Sequence, residues 1–169
     1  MKGITYGIGD KNDLIEIANL HALNWDKFYR GIMTDEYLDN EVYDERLNVW
    51  TKRFKNDNPK MAIITAKSGN TLVGFACHFI DYDPIHGHYL DNLHVHPDYR
   101  GKGIGKVLLE KSIQHCQEFG THKYYLWVFD KNDQAIEFYK KMNGREVLTE
   151  TVNTPDGNSA PVLMYAWDI

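Results

Sequence analysis

Apolar positions recur three and four apart at Leu14, Ile17, Ala18, His21, Ala22 and Trp25. That period predicts an amphipathic helix over residues 11–29, with Asp10 as its N-cap and a strand over residues 2–9 before it. Gly31 breaks the helix. Thr34 then opens a short helical turn through Tyr37 and Leu38, with Asp35 and Glu36 favouring its first turn. Leu47, Trp50 and Phe54 place another helix over residues 42–54, closed by Asn56-Asp57-Asn58-Pro59. The period changes to two at Met61–Ala66, and Ser68-Gly69-Asn70 turns the chain into a partner strand over Thr71–Ile80. A polar loop spans residues 81–87 and a third strand runs from His88 to Val95, where Pro97 stops it. Further on come a helix over 103–119, a nearly all-apolar strand at Tyr124–Phe129 and a helix capped by Asn132 or Asp133. That last helix carries Ile136, Phe138, Tyr139 and Met142 and ends at Asn143-Gly144. A hairpin closes the chain, with strands at 145–152 and 161–167 around Pro155-Asp156-Gly157-Asn158.

The order β, helices, ββ, βα, βα, ββ predicts an α/β (α+β) domain with a partly antiparallel sheet. At 169 residues it fits one domain, residues 1–169, with 43% hydrophobic and 25% charged residues. The formal net charge of −5 makes no electrostatic case for a nucleic-acid partner. Cys77 and Cys116 are too few for a disulfide framework and fall in a strand and a helix, where they read as core filler. No apolar run approaches the length of a membrane span and no signal segment opens the chain, so the expectation is a cytoplasmic protein without a membrane partner.

Between the third strand and its following helix lies Arg100-Gly101-Lys102-Gly103-Ile104-Gly105-Lys106. Glycines admit a close ligand, and the first helical turn leaves N–H groups and the positive dipole end facing outward. Together they form a site for a phosphate-bearing cofactor. It is not a P-loop, because Val107 follows Gly105-Lys106, and it is not a dinucleotide fingerprint, because Lys106 stands where a glycine is needed.

What remains, Arg-x-x-Gly-x-Gly at Arg100, Gly103 and Gly105, resembles the acetyl-CoA-binding motif of the GCN5-related N-acetyltransferase (GNAT) superfamily. Tyr89-Leu90-Asp91-Asn92-Leu93-His94-Val95 is similar to that superfamily's fourth strand, and Asn132 to Lys141 to its helix with a cofactor-side Asn and an acid Tyr. Tyr89 to Asn92 also resembles the spermidine/spermine acetyltransferase branch. The resemblance implies a mixed, splayed sheet of about seven strands flanked by four or so helices. It implies acetyl-CoA lying between strands 88–95 and 124–129, its pantetheine arm pairing with the backbone of Leu93, His94 and Val95. The pyrophosphate would rest on the main-chain N–H groups of Arg100, Gly101, Lys102, Gly103, Ile104, Gly105 and Lys106, with Asn132 touching pantetheine and Arg100 and Lys102 adding charge at the rim. Homodimers are common in the superfamily. The chain departs from it at Asn143-Gly144-Arg145, where Gly-Phe is usual.

Acetyl transfer needs the amine to lose a proton, a donor for the developing oxyanion, and a proton for the departing thiolate. Tyr139 is the candidate acid. Asp91 is the candidate base or ammonium anchor, sharing a face with Tyr89, Leu93 and Val95 if the strand is regular. His94 titrates closer to neutrality but faces away with Asn92 unless a bulge turns either one. Trp25, Tyr29, Tyr37, Tyr82 and Tyr89, with Asn92, are candidate acceptor-pocket residues, and Asp35, Glu36, Asp81 and Asp83 nearby would suit a cationic amine. His86, His88 and His96 flank the same strand without a ligand spacing, so no metal is expected. The expected activity is N-acetylation of a small molecule's primary amine in a ternary complex. The alternatives are a protein or peptide acetyltransferase and a non-catalytic acyl-CoA-binding module.

Overall fold

A computed structural model describes residues 3–169, so Lys2, which the sequence placed in the first strand, lies outside it. The elements run β1 (Ile4–Ile8), α1 (Leu14–Phe28), α2 (Asp35–Asn40), α3 (Val42–Asn56), β2 (Met61–Ser68), β3 (Thr71–Asp83), β4 (Gly87–Val95), α4 (Ile104–Cys116), β5 (Lys123–Phe129), α5 (Asp133–Lys141), β6 (Arg145–Asn153) and β7 (Ser159–Asp168). The caps work as their residue types require. Asp10 and Asp13 exchange side-chain-to-backbone hydrogen bonds ahead of α1, Thr34 accepts from Tyr37 N, and Asn132 accepts from Ala135 N. Boundaries shift by up to three residues, and the first helix begins at Leu14 rather than at residue 11. The polar loop shrinks to a tight turn because β3 continues to Asp83 and pairs it with Gly87. The fourth helix is shorter than 103–119, its unpaired ends lying outside Ile104–Cys116.

The seven strands form one sheet in the order β1-β2-β3-β4-β5-β7-β6. All neighbours are antiparallel except β4 and β5, which run parallel. One face packs α4 and α5 around Leu108, Leu109, Leu126 and Ile136, and the other packs α1 and α3 around Ile17, Trp50 and Phe75. Each such side chain, moved from water to the core, stabilises the fold by about 1.5–3 kcal/mol.

Two irregularities in the sheet create the site. The β4–β5 ladder ends at Leu90 opposite Leu126, although β4 continues to Val95 and β5 to Phe129. Beyond that pair the strands part. On its other edge, β4 sets Leu90 opposite His78 and Asn92 opposite Cys77, so Asp91 is an extra, bulged residue. The bulge reverses the alternation. Tyr89 and Asp91 face the α1/α3 layer, then Asn92 and His94 face it too, while Leu93 and Val95 turn to the α4 side. The regular-strand expectation that Asp91 shares a face with Leu93 and Val95 is therefore corrected.

Candidate active site

The parted strands open a cavity of about 910 Å³. Its floor is β4 from Tyr89 to Val95 and β5 from Leu126 to Phe129, and its ends are the 100–106 loop with α5 on one side and α1 with α3 on the other. His96 N donates to Val73 O, so alternate residues Asn92 and His94 direct their backbone groups at β3. The N–H and C=O groups of Leu93 and Val95 then point into the gap, where no strand meets them. One of these is used within the protein: Val95 O accepts from Asn24 Nδ2 at 3.2 Å and from Arg100 Nε at 3.4 Å.

At the loop end, Gly101 and Gly103 hold φ of +73° and +81°, a region side-chain-bearing residues adopt only with strain, and a Cβ there would meet open space. The positive φ of Gly103 turns the chain into α4 without any side-chain cap. Among the described residues, nothing accepts from the N–H groups of residues 101–106, which form an outward row at the helix's positive end. Gly101, Gly103, Ile104, Gly105 and Lys106 line the cavity there. Arg100 does so differently from the expectation of a rim charge. Its guanidinium stacks 3.5 Å above the Phe28 ring, donates to Gln134 Oε1 at 2.7 Å and is half-buried. Lys102 turns away: its Nζ donates to Asp98 O at 2.7 Å over the Tyr99 ring, and it is not part of the wall. Asn132, which caps α5, and Tyr139 on that helix both line the cavity. Tyr139 packs edge-on against Phe138 and Trp167, and its hydroxyl has no hydrogen-bond partner among the described residues. Burial, with Tyr29 nearby, pushes its pKa well above that of a free phenol.

At the helical end, Trp25, Tyr29, Tyr89, Asp91 and Asn92 line the cavity as the sequence placed them. Tyr37 does not: it is buried beside Ala22, Leu38 and Val42, and its hydroxyl donates to Glu45 at 3.1 Å. Tyr82 lies outside, its ring tilted against Tyr89, and Asp35, Glu36, Asp81 and Asp83 are absent from the wall. The reason is geometric: α2 packs against α1 and α3, and the β3–β4 turn lies at the paired end of the V, away from its mouth. Asp91 is ion-paired with Arg53, Oδ2 to Nη1 at 2.6 Å.

The wall holds residues that sequence reasoning passed over: Asn24, Phe28, Arg46, Arg53 and Gln134. Arg46, Trp50 and Arg53 recur at helical spacing on the inward stripe of α3, and two arginines on an inward stripe are the pattern that could have marked them. Asn24 fixes the chemistry of His94. Its amide group must face Val95 O, which can only accept, so the same Nδ2 donates to His94 Nδ1 at 3.3 Å. His94 therefore carries its proton on Nε2, which has no partner among the described residues. Desolvation, reinforced by Arg100 and Arg46, lowers its pKa to about 3. The imidazole is neutral and presents a donor, which removes the case for His94 as the base.

A model of the Acetyltransferase (GNAT) family matches residues 17–144. The chain belongs to this family. Among GNAT relatives, an uncharacterized N-acetyltransferase of Methanocaldococcus jannaschii is 40% identical over 140 residues, 80% of this chain and 58% of that one. The thialysine N-epsilon-acetyltransferase of Sus scrofa is 33% identical over 84 residues, 48% of this chain and 49% of the relative, so the chain spans about half the length of such curated relatives. In fold, the chain is similar to the PaiA N-acetyltransferase of Thermoplasma acidophilum solved in complex with coenzyme A. That likeness has a TM-score of 0.74 and 23% identity over 99% of both chains. The GNAT sheet and its helices, expected from the resemblance, are present as seven strands and five helices.

Proposed function

We propose that this protein transfers the acetyl group of acetyl-CoA to a primary amine of a small molecule by direct attack in a ternary complex. The observation that carries the reading is the β4–β5 gap itself, with bare main-chain donors at one end and a carboxylate among aromatic rings at the other. The row of N–H groups at residues 101–106 fits a pyrophosphate, and the unpaired edge of Leu93 fits a pantetheine arm laid in as an added strand, which leaves the Val95 N–H for the thioester. The PaiA neighbour solved with coenzyme A supports that choice of ligand. Relatives named as thialysine and spermine/spermidine acetyltransferases support an amine acceptor. A thioester supplies an acyl carbon open to attack and a thiolate that can leave.

The chain's own residues do the rest. Asp91 draws the acceptor's ammonium to the mouth of the gap and takes its proton directly or through water. The Val95 N–H and His94 Nε2–H are the donors available to the carbonyl oxygen as it gains charge while the C–N bond forms. Tyr139 gives a hydrogen bond or its proton to the sulfur as the C–S bond breaks. Cys77 and Cys116 are both buried and both have raised pKa values from desolvation, so neither serves as an acyl-carrying nucleophile. The side chains of Trp25, Tyr29 and Arg46 on the wall of the acceptor end favour a small acceptor over a peptide.

The test is release of free CoA from acetyl-CoA by the purified protein across a panel of amines. Amine-dependent release with a mass gain of one acetyl on the amine is expected. Binding of CoA without release for any amine would leave the acyl-CoA-binding module as the correct reading.

A further inference from the structure

The acceptor end of the cavity is richer in guanidinium than in carboxylate, with Arg46 and Arg53 on the wall against Asp91. Arg46 is already neutralised, because Glu45 accepts from its Nε at 2.5 Å and from its Nη2 at 2.6 Å. Arg53 is not. Its Nη1 alone serves both Asp91, at 2.6 Å, and Asn92 Oδ1, at 3.1 Å. No oxygen among the described residues accepts from Nε or Nη2. The polar group left beside the guanidinium is the buried Cys77 thiol, a weak acceptor. The Trp50 ring, 4.8 Å from the guanidinium carbon, and the Phe79 ring, 5.7 Å away, fix the plane. Only 24% of the Arg53 side chain is exposed, and neither Nε nor Nη2 is a buried atom without a partner, so these donors are met by water or by the Cys77 thiol until a better acceptor takes their place.

A guanidinium held in plane, one nitrogen engaged by oxygens and the Nε–Nη2 edge without an oxygen acceptor, matches a planar carboxylate that accepts two parallel hydrogen bonds. We infer that Arg53 binds a carboxylate carried by the acceptor, so that the acceptor is a small amino acid rather than a polyamine. The inference rests on the acetyl-transfer reading and deepens it. Asp91 and Arg53, 2.6 Å apart, then form a complementary pair for an ammonium and a carboxylate on one molecule. A polyamine meets the reverse: after its first ammonium reaches Asp91, its next cation faces Arg53.

The experiment compares matched acceptors, lysine against cadaverine with spermidine as the polyamine probe, by kcat/KM at saturating acetyl-CoA. The wild-type protein is expected to favour lysine over cadaverine by about ten-fold to a hundred-fold, the range of a hydrogen bond to a charged group. Arg53→Gln is expected to bring that ratio to within about three-fold of one, and Arg53→Lys, which keeps the charge and loses the fork, to an intermediate value. Circular dichroism and CoA affinity confirm that each variant is folded. A wild-type preference for cadaverine or spermidine, or a folded Arg53→Gln with the ratio unchanged, overturns the inference and leaves acetyl transfer standing. Transfer to no amine, with CoA bound, overturns both.

Discussion

Asn24 Nδ2 lies 3.3 Å from His94 Nδ1 and 3.2 Å from Val95 O, and this one amide decides which nitrogen of His94 bears a proton. It also ties α1 to the strand end at the open gap. Its own Oδ1 has no partner among the described residues although Asn24 is only 2% exposed. Asn24→Leu removes the donor from two acceptors and is expected to destabilise the protein by about 1–3 kcal/mol. It is also expected to lower kcat by about ten-fold or more through loss of the His94 Nε2–H orientation. Urea unfolding and steady-state kinetics check the two effects separately.

Three buried histidines set the acid stability. His94 and His78 have pKa values lowered to about 3, and His21 lies well below 6.5, each chiefly through desolvation. In the unfolded chain each takes up a proton near pH 6.5, whereas the folded protein does not until far lower pH. The unfolded state thus binds more protons between about 3 and 6.5, so stability rises with pH across that window and is lost as pH falls through it. The expected slope is about 1.4 kcal/mol per pH unit for each histidine once the unfolded form is fully protonated. Denaturant melts from pH 7 to pH 4 measure it, and His78→Asn or His94→Asn should each flatten the curve by one proton. An unchanged slope in His94→Asn would show that His94 is charged in the folded protein.

Tyr139→Phe keeps the ring contacts with Phe138 and Trp167 and removes a cavity-wall hydroxyl that has no hydrogen-bond partner among the described residues. Turnover is expected to fall by about 10²-fold or more, the scale of general acid catalysis, with the KM for acetyl-CoA moving less than about three-fold. Because burial raises the Tyr139 pKa, its phenol stays protonated through the usual assay range, and no basic limb from it is expected below pH ~10. Turnover equal to the parent would remove Tyr139 from the reaction.

Gly103→Ala forces a side chain to φ of +81° at the start of α4. No neighbour lies within 4 Å of the new Cβ, so the cost is conformational rather than a clash, on the order of 1–2 kcal/mol. If the helix start relaxes to avoid it, the N–H row at 101–106 turns with it. A lower thermal midpoint together with a CoA dissociation constant raised about ten-fold is expected, read by calorimetry. A destabilised protein with unchanged CoA affinity would place the phosphate elsewhere.

Much of this protein was legible along the chain because its determinants are local. Asp10, Thr34 and Asn132 cap helices through side-chain oxygens that reach only two or three residues onward, and Gly101 and Gly103 satisfy a turn that the neighbouring bonds impose. The strand, loop and helix order around Arg100 is a property of sequence alone. The cavity wall followed from it for Trp25, Tyr29, Tyr89 and Asn132, and not for Tyr37 or Lys102, whose rotamers are set by Glu45 and by the Asp98 carbonyl.

Three decisions belonged to the folded molecule. The bulge at Asp91 reverses which residues of β4 face the acceptor end, and a bulge arises from the register against β3, which no window of β4 residues contains. The parting of β4 from β5 after Leu90 and Leu126 depends on strands more than thirty residues apart. The pairing of Arg53 with Asp91 and of Asn24 with His94 joins helices to a strand that they meet only after the sheet has formed. Local stereochemistry is written residue by residue, whereas register and cross-layer contacts are chosen by the total packing energy of the sheet and its two helical layers, which exists only once they are assembled.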